Sequence, residues 1–215
     1  VQTYYALVIT ALSACRLGDV SSPEDLYDGS HFSKYRINNF DFDRGYQWFR
    51  GHLDISDLIA VAQTLDYEHP LPDALKSLYH DLVPRAVRHT LGEYYTPDWL
   101  AHFVLQQVES TSPQSILDPT CGSGTFVILA YHQLYNNGVE NPLHYVAGID
   151  VNPLACMSAK ANLILNMPIP KEPTKLPIYC ADVLLNAPKI GQFDVIVGNP
   201  PWINWETLPQ DYRHK

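Results

Sequence analysis

Between residues 115 and 197, four short apolar runs alternate with two stretches of helical spacing, and that alternation leaves the chain few folds to adopt. SILDPT (115–120) is the first run. Over 123–137 apolar side chains fall at Phe126, Val127, Ala130 and Leu134, one face of a helix, and Gly138 supplies a C-terminal stop. HYVAGIDV (144–151) is the second run. Asn152-Pro153 then offers a capping side chain and a proline at the first helical turn, where its missing N–H costs nothing, opening a helix to about Asn166. A loop carrying Pro168, Pro170, Pro173 and Pro177 leads to IYCAD (178–182), and FDVIV (193–197) follows. Strand, helix, strand, helix, strand, strand with near-continuous apolar strands predicts a parallel α/β sheet. In such a sheet, ligands sit beyond the carboxyl ends of the strands.

The preceding residues, 1–90, read as mostly helical. Residues 4–16 are densely apolar, 54–65 repeats apolar positions at helical spacing, and 72–90 predicts a helix kinked near Pro84. A polar loop rich in Ser, Asp, Asn and Gly spans roughly 18–50. The expected organisation is therefore a helical N-terminal region, 1–90, followed by an α/β core, 91–215.

Composition narrows the partners. The balance of 23 Asp+Glu against 14 Lys+Arg gives a net charge of −9, which argues against this stretch gripping a phosphate backbone broadly. A small cationic ligand is a more comfortable guest. Cys15, Cys121, Cys156 and Cys180 form no CxxC pair, so zinc and redox motifs have no support and reduced intracellular thiols are expected. No metal site is expected. The longest apolar run, from Tyr4, is too short for a bilayer, which needs about 20 residues, and lacks a basic leader.

The strand ends carry the candidate chemistry. The first runs into Asp118-Pro119-Thr120-Cys121-Gly122-Ser123-Gly124-Thr125 just before a helix, where glycines permit close backbone approach and a helix N-terminus offers free N–H groups. It has neither the P-loop Gly-Lys-Ser/Thr nor the GxGxxG spacing. The second ends in Asp150, placed where α/β nucleotide folds bind ribose hydroxyls. The third ends in Asp182-Val183, a carboxylate that could accept from an adenine amino group beside a side chain that packs on the ring. The fourth ends in Asn199-Pro200-Pro201-Trp202. Singly, each has an ordinary explanation: a tight turn, a surface carboxylate, a polar strand end, a strand-terminating turn with an aromatic.

Together and in this order, DPTCGSGTF, GIDVNPLA, ADVL and NPPW resemble motifs I to IV of the S-adenosylmethionine-dependent amino methyltransferases. LGEYYTPDWLA (91–101) is similar to the motif that precedes them in adenine-N6 DNA methyltransferases of restriction–modification systems. The resemblance covers roughly 85–205. It implies a Rossmann-like methyltransferase sheet, incomplete because the chain stops shortly after the fourth motif. It also implies a cytoplasmic prokaryotic enzyme, transferring methyl from S-adenosylmethionine to a flipped adenine. Tyr95, Thr96 and Pro97 would line the methionine end of the cofactor, with Thr96-Pro97 as a helix cap and first turn. Asp118, Thr120, Cys121, Gly122 and Gly124 would hold its amino-acid moiety, Asp150 its ribose, and Asp182 with Val183 its adenine. No reactive role is assigned to Cys121.

Adenine N6 is a poor nucleophile because its lone pair is delocalised into the ring. The Asn199 side-chain oxygen and the Pro200 carbonyl would accept its two N–H bonds and localise that pair, Pro201 would help restrict the loop, and Trp202 would stack on the base. Double-stranded DNA would be gripped by regions outside this chain, alongside a specificity or restriction subunit or domain. Two other readings stay open from the residues: an RNA or protein-glutamine amino methyltransferase, and a degenerate cofactor-binding or assembly module.

Overall fold

In the computed structural model, the described residues are 2–27, 29–40, 54–67, 75, 96–108, 113–202, 206 and 210. Apart from Leu75, which is helical and buried, the expected helix over 72–90 lies outside them, as does the expected site residue Tyr95. Four parallel strands, β1 (Ile116–Asp118), β2 (Val146–Asp150), β3 (Ile178–Cys180) and β4 (Val195–Ile196), form one sheet in the order β3-β2-β1-β4. The strands are shorter than the apolar runs, because the chain turns away to form the strand-end loops. From β1 the chain builds outward through β2 and β3, then returns to the other side of β1 as β4. That reversal is where an α/β sheet binds its ligands.

Parallel neighbours require crossover connections. The first carries a helix (Thr125–Asn136) and the second a helix (Pro153–Asn166). Asn152 caps the latter as its sequence demands: its side chain accepts from the Leu154 N–H, and Pro153 occupies the first turn. In chain order the helices are α1 (Gln2–Leu17), α2 (Pro23–Tyr27), α3 (Ser30–Lys34), α4 (Ser56–Gln63), α5 (Asp98–Gln106), α6 (Thr125–Asn136) and α7 (Pro153–Asn166).

Helix α7 is apolar nearly all round because it is covered twice, by the sheet and by α1. The hydroxyls of Thr10 and Ser13 in buried α1 donate to the Ala6 and Ile9 carbonyls one turn back, at 2.8 and 2.7 Å. Ser158 Oγ of α7 lies 3.0 Å from Tyr5 Oη, so the two helices also meet through a buried polar pair.

The described residues of the expected 18–50 loop, which reach 40, are more ordered than a polar loop. They contain α2 and α3, and the following segment straps onto the chain just before β3. Ile37 bridges Thr174 in parallel, and the Asn39 amide pairs with both backbone groups of Leu176, each at 2.8 Å. Lys160 Nζ of α7 donates to the Asn39 carbonyl at 2.6 Å. Side-chain amides here stand in for strand partners, which no alternation of apolar residues would reveal. Among the described residues, no helix is long and apolar enough to cross a membrane.

Candidate active site

Asp118 closes β1 and is 2% exposed, with its Oδ1 accepting the Thr120 N–H at 3.0 Å. Burial is the main force on its carboxyl and pushes it up to about 7; the Thr120 N–H opposes this, and the nearby Asp150 charge adds to it. Asp118 is therefore protonated in a substantial share of molecules at neutral pH.

The glycine turn is drawn onto β2. Cys121 N–H donates to the Ile149 carbonyl at 2.8 Å, and Gly124 N–H to the Cys121 carbonyl at 2.8 Å. Gly122 and Gly124 take φ of 53° and 92°, left-handed values that favour glycine. They meet different surroundings. A side-chain carbon at Gly124 would stand 3.1 Å from Ala159 Cβ on α7, whereas at Gly122 it would point into open space. Close packing explains Gly124. At Gly122 no packing demands the glycine, and its left-handed φ alone favours it.

Asp150, at the end of β2, stitches the turn in place: its Oδ2 accepts the Gly122 N–H and its Oδ1 the Asn152 N–H, both at 2.8 Å. These bonds orient the carboxylate, each of whose oxygens has more than one acceptor direction. Asp182 Oδ1 similarly accepts the N–H groups of Leu184 and Leu185, at 2.9 and 3.0 Å, with Val183 half-buried between them. The Cys121 thiol is buried and raised well above its ordinary value by that burial, which keeps it protonated. Its Sγ occupies the space over Gly148, where a side-chain carbon would come within 2.8 Å of it.

At the fourth strand end, the Val197 N–H donates to the Leu117 carbonyl at 2.9 Å and carries Gly198 onto the Asp118 carboxylate. Beyond Gly198, Asn199 is half-buried and Pro200, Pro201 and Trp202 are exposed. Asn199 Oδ1 accepts the Trp202 indole N–H at 3.1 Å, an engagement the motif alone did not suggest. Thr96 is buried before α5, and Pro97, not Thr96, is the N-cap residue; the helix shows no side-chain cap hydrogen bond.

The strand ends thus bring Asp118, Thr120, Cys121, Gly122 and Gly124 against Asp150 on one side and Gly198 on the other. Residues missed from sequence are Gly198 and Asn162. Asn162, 3% exposed on α7, donates through Nδ2 to the Ser123 carbonyl at 2.9 Å and so holds the turn from behind. A glycine directly before the Asn-Pro-Pro-Trp stretch was the only signal for the first; a mid-helix asparagine carried none.

The strand-end groups have the chemistry to meet a nucleoside bearing a charged amino-acid tail. The side-chain direction of Gly122 is open, and Thr120 Oγ1 is buried without a hydrogen-bond partner among the described residues. Carboxylates at successive strand ends match hydroxyl and amino donors. Among the described residues, no group of three His, Cys, Asp or Glu is placed to hold a metal ion.

Comparison with known proteins places these features in a family. The model described as N-6 DNA Methylase matches residues 73–215. The type I restriction enzyme MjaVII methylase subunit of Methanocaldococcus jannaschii is 32% identical over 155 residues, 69% of this chain and 25% of that protein. The adenine-specific methyltransferase PglX of Streptomyces coelicolor is 32% identical over 110 residues, 42% of this chain and 9% of that protein. The chain therefore spans about a quarter or less of these two relatives. Among solved structures, a protein described as a modification subunit of a type I restriction enzyme from Vibrio vulnificus superposes with a TM-score of 0.50 at 20% identity, over 78% of this chain and 36% of that one, a likeness of fold. On the match over 73–215, more than half its length, this chain belongs to the N-6 DNA methylase family.

Proposed function

We propose that this chain is the cofactor-binding and catalytic-tip portion of an adenine-N6 DNA methyltransferase of a restriction–modification system, using S-adenosylmethionine. The observation that carries the reading is the convergence of the buried Asp118, the Asp150-stitched glycine turn and the Asn199-to-Trp202 segment at the sheet's reversal point. The family match and the names of the relatives support the same reaction.

When bound, S-adenosylmethionine would supply an electrophilic methyl on a sulfonium centre. Asp118 and the backbone around Gly122 would hold its amino-acid end, and Thr120 Oγ1 offers it a hydrogen bond. Asp150 would accept from the ribose hydroxyls, and Asp182 with Val183 would bind the adenine. Thr96-Pro97, with Tyr95 before it, would close over the methionine end. Asn199 Oδ1 and the Pro200 carbonyl would accept the two N–H bonds of the target N6, drawing nitrogen toward tetrahedral geometry and localising its lone pair. These are preorganised acceptors where positive charge develops. Pro200 and Pro201 restrict the loop, and Trp202, 74% exposed, presents a face for a flipped base to stack on, worth about 1–3 kcal/mol. The methylated amine is acidic and loses its proton afterwards, so no strong base is required.

An adenine inside a duplex must be extruded before it reaches this segment. The net charge of −9 argues against this stretch gripping DNA broadly, so DNA grip and sequence choice are assigned to other regions or partner subunits, and a prokaryotic cytoplasm is the matching location. Calorimetric titration of the chain with S-adenosylmethionine, with Asp150→Ala as control, tests the cofactor half. Absence of binding by folded protein would sink it. In the full-length protein, Asn199→Ala should abolish methyl transfer while sparing cofactor affinity; equal loss of both would show that the segment is misassigned.

A further inference from the structure

The Asn199–Trp202 hydrogen bond gives the tryptophan a second task. Resting on the reading of this segment as the amine site, we propose that the Trp202 indole N–H is a positioning group that fixes the Asn199 amide with its oxygen, not its NH2, toward the incoming N6.

An asparagine amide has two faces of opposite character. Its oxygen accepts, whereas its NH2 only donates. Turned the wrong way, Asn199 would present N–H to the N–H of the target amine and repel it. Indole N–H is a donor only, so the 3.1 Å contact with Asn199 Oδ1 selects one of the two orientations. A carbonyl oxygen carries two lone pairs, so accepting from the indole is compatible with accepting from an amine as well.

Ring geometry lets one side chain do both jobs. The N–H lies in the indole plane at its edge, so bonding to Asn199 leaves the two faces for stacking, and the residue is 74% exposed. A base stacked on that face could extend its exocyclic nitrogen past the ring edge on the side where Asn199 Oδ1 sits. Pro200 and Pro201 separate the two residues and limit the φ of the intervening backbone, which favours closing a loop across so few residues. A tyrosine or phenylalanine in place of Trp202 could stack, but neither carries a donor at this position on the ring.

The test uses the full-length protein. Trp202→Phe keeps a flat face and removes the donor, so kcat for methyl transfer should fall about tenfold, the scale of one hydrogen bond, while KM for DNA and cofactor affinity stay within about twofold. Trp202→Leu, which loses the face too, should raise KM for DNA as well. A Trp202→Phe enzyme with wild-type kcat, or one altered only in KM, overturns the positioning role. Asn199→Ala with intact methylation would instead overturn the amine-site reading, so the two failures are distinguishable. Independently of activity, the indole N–H resonance lost in Trp202→Phe should move upfield and exchange faster in Asn199→Ala. An unmoved resonance overturns the proposal.

Discussion

A side-chain carbon at Gly198 would stand 2.7 Å from Asp118 Oδ1 and 3.4 Å from Thr120 Oγ1, so the end of β4 rests directly on the buried carboxylate that ends β1. The segment proposed to carry the reaction and the group proposed to hold the cofactor are thereby a single packed unit. Gly198→Ala should displace Asp118 or the strand end. The expected cost is about 1–3 kcal/mol of stability, the range for overpacking, together with weaker cofactor binding. Thermal unfolding and calorimetry on the same preparation check both, and an unchanged protein would mean that the strand end yields freely.

Gly122 offers the contrasting substitution. Its side-chain direction is open, so Gly122→Ala should cost only about 1 kcal/mol, from its left-handed φ. If a cofactor lies against that backbone, affinity should drop well beyond what the stability change explains. Equal affinity for variant and parent, measured by titration, would move the ligand elsewhere.

Asp118 predicts a pH dependence. Its folded carboxyl sits at about 7, above an ordinary value of 3.8, so the folded state keeps a proton that the unfolded chain has released. Its contribution is most favourable below the unfolded value and declines as pH rises toward about 7, levelling above it. Asp118→Asn removes this loss. Its stability relative to the parent should therefore improve by on the order of a few kcal/mol between acidic and mildly alkaline pH, read from denaturant unfolding at several pH values. An ammonium group bound beside Asp118 would favour its charged form, so cofactor binding should tighten as pH rises and should release a proton.

Asn162 predicts a second effect on the turn, from behind. Asn162→Ala leaves the Ser123 carbonyl without its buried donor, at a cost of about 1–3 kcal/mol. The glycine turn should loosen, so amide exchange at Gly122 and Gly124 should quicken more than exchange in β2. Uniform acceleration would point to a general loss of packing instead.

Much of the architecture was legible in the residue order. Phe126, Val127, Ala130 and Leu134 announced α6 through their spacing, Asn152-Pro153 announced the start of α7, and the apolar runs announced the parallel strands. These are local signals, carried by neighbours within one or two turns. The strap through Ile37 and Asn39 was not legible, because its partners, Thr174 and Leu176, lie far along the chain and the bonds use amides without any apolar period.

The same division holds at the site. Sequence by itself determined that Asp118 and Asp150 end their strands, that glycines follow β1, and that Asn-Pro-Pro-Trp follows β4, since each depends on local pattern and order; Asp182, expected to end the third strand, lies two residues past it. Only the tertiary structure decided that burial raises the Asp118 carboxyl to about 7, that Asp150 is oriented by the Gly122 and Asn152 N–H groups, that a side chain at Gly198 would press on Asp118, and that Trp202 bonds to Asn199. Burial, dielectric and close approach are set mostly by residues remote in the chain. They exist only once β1, β2 and β4 lie side by side.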